Sequence, residues 1–178
     1  MRLKKLRFTR QEFANADNFD LEEEYIGDLV NYYNRAVENH NLGEYKEALR
    51  DHNLAIKTDG QSWTYRINRA ADYIDMREYK KAAADYDAAI KIKFDYADAY
   101  FWRAYSNGEL GGYKKALKDY DQAIKLNPKN TAAYHNRGII HIKLNDLKSA
   151  EKDALKAQEL GGCKMLKYFE EEGILQYE

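Results

Sequence analysis

The chain has 178 residues, 33% of them charged and 44% apolar, with 29 Lys plus Arg set against 30 Asp plus Glu. This near-neutral balance argues against a general nucleic-acid binder, which carries a basic excess, and the apolar and aromatic content is too high for a disordered chain. A lone cysteine, Cys163, can form no internal disulfide, no apolar run approaches transmembrane length, and a cytoplasmic protein is the expectation.

Residues 1–28 form an N-terminal arm outside any repeat. Residues 1–10 carry five basic side chains and no acid, whereas 12–28 carry seven acids and no base. The opening "MRLKKLRFTRQEF" starts as a signal peptide does, but no apolar stretch follows. Thr9 and Glu12 have capping-box spacing, which predicts a short helix over 10–16. Asp20 is placed to cap a helix starting near Leu21. The basic start is read as a solvated terminus, or as an arm folded onto its own acidic stretch. Contact with a membrane surface or nucleic acid is the alternative.

From Leu29 onward the chain repeats every 34 residues without insertion or deletion, in units 29–62, 63–96, 97–130 and 131–162. Position 8 of the unit is Ala36, Ala70, Ala104 and Gly138. Position 20 is Ala48, Ala82, Ala116 and Ala150, and position 27 is Ala55, Ala89, Ala123 and Ala157. Small residues in register let two helices approach closely, with bulky neighbours filling the space beside them. Positions 14 to 16 read "LGE", "MRE", "LGG" and "LND", where one helix ends and another begins. Each unit is therefore read as helix–turn–helix. Such a hairpin cannot bury its apolar faces alone, but stacked copies can. After the fourth unit, residues 163–178 supply a capping helix over 163–173 and a tail. Cys163 stands near the start of that helix, where the thiol is expected to be somewhat reactive.

Two further positions are the same in all four units. Position 7 is Arg35, Arg69, Arg103 and Arg137, and position 23 is Asp51, Asp85, Asp119 and Asp153. In a hairpin turning near position 15 these lie level, which predicts four structural Arg–Asp pairs held by two parallel hydrogen bonds each.

The unit length, the small residues at 8, 20 and 27, the aromatic before the second helix and Pro128 at position 32 closely resemble the tetratricopeptide repeat. The unit from Ala97 to Asn130 is nearly a consensus copy. Phe94 and Gly60 in place of the proline, and Ala154 in place of a bulky residue, are departures. The resemblance implies an all-α fold, a right-handed α-solenoid of antiparallel helix hairpins with a C-terminal cap. It also implies a non-catalytic protein-interaction role, in which the first helices line a concave groove holding a peptide or helix of a partner.

On a helix, positions 2, 6, 9 and 13 point roughly 100–160° away from position 8, and position 5 flanks them. Reading these positions gives a candidate peptide-binding groove of Tyr33, Asn34, Val37, Ile67, Asn68, Phe101, Trp102, Tyr105, His135, Asn136 and Ile139. Asn34, Asn68 and Asn136 are expected to grip a peptide backbone through paired donor and acceptor. Trp102, with Phe101 and Tyr105, supplies an aromatic anchor. Asp75, Asp98 and Glu109 make this face acidic, with Lys143 the lone base. The clamp that related repeats use for chaperone C-terminal tails needs Lys, Asn, Asn, Lys and Arg. The chain offers Tyr33, Val37, Asn68, Asp98 and Trp102, so a chaperone-tail ligand is not expected.

No phosphate-binding glycine loop, zinc-binding cysteine spacing or glycine-flanked serine is present. His135 and His141 are six apart and fall about 120° apart on a helix, and His52 takes a packing position. No enzyme activity, metal or cofactor is expected. The sequence leaves open a structural subunit or self-associating scaffold, using the termini or the convex face.

Overall fold

The computed structural model describes residues 19–162. The helices expected over 10–16 and 163–173, and Cys163, lie outside the described residues. Eight helices follow in order: α1 Phe19–Asn41, α2 Tyr45–Thr58, α3 Trp63–Asp75, α4 Tyr79–Ile92, α5 Ala97–Glu109, α6 Tyr113–Leu126, α7 Thr131–Lys143 and α8 Leu147–Glu159. They pair as α1–α2, α3–α4, α5–α6 and α7–α8, and each hairpin packs on the next. The first helices of neighbouring hairpins also touch, α1 with α3 and α5 with α7, which puts them together on one side of an all-α solenoid. α1 starts ten residues before Leu29, so Asp20, expected to cap it, is already helical.

Four of the tight turns share one design. Gly43, Arg77, Gly111 and Asn145 all occupy position 15 with positive φ, at 79°, 57°, 75° and 59°. In each, two backbone N–H groups reach back over the helix end, as in Gly43 to His40 and Glu44 to Asn39. This pairing satisfies carbonyls that would otherwise be left without partners, and it favours glycine because the left-handed region penalises a Cβ. Two helices also carry side-chain caps. Asn130 accepts from the Ala133 amide at 3.1 Å and Asp146 from the Ser149 amide at 3.2 Å.

The twelve small residues at positions 8, 20 and 27 are all buried. Around them sit larger side chains, above all Tyr86 and Tyr120, each 1% exposed on the second helices. One core cluster joins Phe101, Ala104, Ala116, Tyr120, Ala133 and Ile140 across the third and fourth hairpins. Another gathers Ala70, Ala82, Tyr86, Ile90 and Ala99 across the second and third. Each cluster spans a hairpin and its neighbour, so burial is shared between repeats.

The position-7 arginines fasten this stack. Arg35, Arg69, Arg103 and Arg137 donate from Nε and Nη2 to both carboxylate oxygens of Asp51, Asp85, Asp119 and Asp153, at 2.6–2.9 Å. Three of them use Nη1 as well, reaching the preceding hairpin at Asn53, Asp87 and Asp121. One guanidinium thus ties both helices of its own hairpin and the hairpin before. The Asp153 hydrogen bond is the main cause that holds the Arg137 guanidinium well above its ordinary range. Arg35, with no described hairpin before it, has 58% of its side chain exposed, against 18–19% for the other three.

Candidate binding groove

The first helices present the candidate groove. Trp102 on α5 is its largest exposed side chain, at 39%. Its ring meets Phe101 edge-on at 5.0 Å and Tyr105 at 5.8 Å, and Tyr105 meets Tyr79 at 6.0 Å. The ledge of rings is fixed because each edge rests on a neighbour's face.

Phe101 corrects the sequence reading. It is only 8% exposed and sits in the core with its ring 5.8 Å from Tyr120. It supports the ledge from behind and offers no surface to a ligand. Position 5 lies about 60° from the small residue at position 8, close enough for a large side chain to turn inward. Ile67, at the same position, is half-buried against the second core cluster. Tyr33 and His135 are half-buried too, as is Val37 at position 9.

The asparagines divide. Asn34 is exposed. Asn68 donates from Nδ2 to the Tyr33 hydroxyl at 3.2 Å, while Tyr33 packs on Tyr65 with centroids 5.4 Å apart. Asn136 is half-buried and lines a pocket with Tyr120. Two members of the expected ladder are therefore partly enclosed by the protein.

Between the third and fourth hairpins the groove deepens into a pocket of about 260 Å3. Tyr105, Gly108 and Glu109 of α5 form one wall, and Asn136, Ile139, Ile140 and Lys143 of α7 the other. Tyr113 and Tyr120 of α6 lie between them. Ile139 is exposed at 37%. Burial is the main cause that holds the Tyr120 phenol well above its ordinary range, and the Glu109 charge adds to it. Tyr120 therefore stays a neutral hydroxyl in the pocket. The candidate groove residues read from the sequence include neither Tyr113 and Tyr120 nor Gly108.

The corresponding junction between the first and second hairpins is filled. Asp72, with its side chain fully buried, sits between two histidines, 2.8 Å from His40 Nδ1 and 2.7 Å from His52 Nδ1. His52 is 1% exposed. The available signal was an acid at position 10, where the next two units carry Ser106 and Ile140.

Three acidic side chains and one basic one stand on the groove's positions. Asp75, Asp98 and Glu109 are exposed, with Lys143 the base opposite. Burial first, and then the Asp75 charge, holds the Tyr86 phenol well above its ordinary range. Among the described residues no group of His, Cys, Asp and Glu could hold a metal ion. No helix among them is long and apolar enough to cross a membrane.

Family models for the tetratricopeptide repeat match residues 108–145 and 131–160. No curated protein matches the sequence. Among solved structures, MamA from Desulfovibrio magneticus RS-1 is similar with a TM-score of 0.71 and 20% identity, over 73% of each chain. The first repeat domain of Spaghetti (RPAP3), bound to the HSP90 peptide SRMEEVD, gives 0.65 and 23%, over 67% of this chain and 94% of that one. The Arabidopsis OM64 repeat domain gives 0.63 and 25%, over 65% and 96%. Residues 108–160 thus match the tetratricopeptide repeat, and the fold of the described residues is the all-α solenoid of these similar structures.

Proposed function

We propose that this chain is a non-catalytic interaction module of the cytoplasm whose groove holds a segment of a partner protein. The observation that carries this reading is the exposed Trp102, ledged on half-buried Tyr105 beside the pocket of the next hairpin. Rigid aromatic rings at the centre of a concave face are favoured binding anchors. RPAP3, similar in fold, holds an HSP90 peptide, which supports a peptide as the class of ligand. The chain's ligand is not such an acidic tail, because Asp98 and Trp102 stand where the clamp for it needs Lys and Arg. Asn34 is the ladder member best placed to grip a backbone.

The test is a selection of peptides from a displayed random library on the wild-type chain, with affinities then measured against Trp102→Ala. Truncating the ring is expected to weaken binding at least about tenfold with helicity unchanged. Peptides that bind both proteins equally would move the site off the groove.

A further inference from the structure

Position 12 lines the inter-hairpin junction. It carries His40, Ile74 and Ile142 in three units, and Gly108 in the third. Glycine in a helix interior is unfavourable, and here no positive φ requires it. A Cβ built on Gly108 would meet the Ile140 side-chain tip at 3.1 Å, so the glycine lets α5 and α7 approach closely at the edge of the pocket. The neighbouring position 6 contributes Asn136, where the second junction has Trp102. The pocket is thus bordered by a glycine and by an asparagine where the second junction has a tryptophan.

Resting on the groove reading above, we infer that this pocket receives one Tyr or Trp side chain from a partner segment rich in Lys and Arg. At about 260 Å3 the pocket is smaller than a site for a drug-sized molecule, roughly 300–1,000 Å3, and suits a single large side chain. Tyr113 and Ile139 offer a ring its apolar walls. The Asn136 amide beside the Tyr120 hydroxyl gives a phenol or indole N–H a hydrogen-bond partner. Charge complementarity selects the flanks: Asp75, Asp98 and Glu109 are exposed on this face, against Lys143 and, at the turn near Tyr105, Arg77. Such a field attracts basic segments and repels acidic ones.

The experiment uses a phage-displayed random dodecapeptide library on the full chain, followed by synthetic peptides on two variants. Gly108→Ile installs the residue that the second and fourth units already carry, and Ile139→Arg blocks the mouth from an exposed position. Selected peptides are expected to share one Tyr or Trp near Lys or Arg. Alanine in place of that ring should weaken binding at least about tenfold, as should either variant. Raising salt from about 0.05 to 0.5 M should weaken it further. Peptides that lose Trp102→Ala but bind Gly108→Ile and Ile139→Arg normally would overturn the pocket and leave the groove reading standing. Selected peptides lacking an aromatic residue, or enriched in acids, would overturn the ligand class. No enrichment at all would overturn both readings.

Discussion

The first junction of the solenoid and the third are built at equivalent positions and end in opposite states. In the first, His40, His52 and Asp72 close the space with two hydrogen bonds to a buried carboxylate. In the third, about 260 Å3 is open beside Gly108, Asn136, Tyr113 and Tyr120. The surrounding scaffold is the same in both, with buried alanines at positions 20 and 27 and an Arg–Asp pair in each hairpin. A repeat protein can therefore keep its packing residues constant and vary the few positions between hairpins. One junction is given to stability and the other to an opening.

Breaking the first junction should have the largest effect. Asp72→Ala leaves His40 and His52 without their shared carboxylate and should destabilise the chain by about 3 kcal/mol. Asn136→Ala at the third junction removes only a half-buried amide beside Tyr120 and should cost about 1 kcal/mol or less. Urea midpoints of the two variants would check the ordering, and equal losses would erase the distinction. The arginine ties give a smaller contrast. Arg137→Lys loses a two-pronged bond to Asp153 and a tie to Asp121, for about 1–2 kcal/mol. Arg35→Lys should lose less, because most of its side chain is exposed. The smallest change expected is a gain. Arg77→Gly relieves a positive φ without touching a junction and should add about 0.5–1 kcal/mol, seen as a higher melting temperature.

The fold was legible because its signals are local and repeated. Ala or Gly at positions 8, 20 and 27, and the turn at position 15, recur in every unit. The Arg–Asp pairs could be read as well, since a hairpin with a fixed turn sets which residues lie level. The groove was legible only in part. Trp102, Tyr105, Asn136 and Ile139 point where helical geometry sends them, but Phe101 turned inward because a large side chain 60° from the buried stripe prefers the core. The bond from Asn68 to Tyr33 crosses 35 residues and joins two hairpins, so no single unit reveals it. The pocket escaped for a similar reason. It is a space between units, lined by residues of α5, α6 and α7, so it emerges only when two hairpins are set side by side.

The most direct test of the account is an amide shift map of the isotopically labelled chain titrated with N-acetyl-tyrosinamide. The account predicts shifts centred on Gly108, Glu109, Asn136 and Ile139, absent in Gly108→Ile. Shifts gathered on α1 and α2, or unchanged by that substitution, would contradict it.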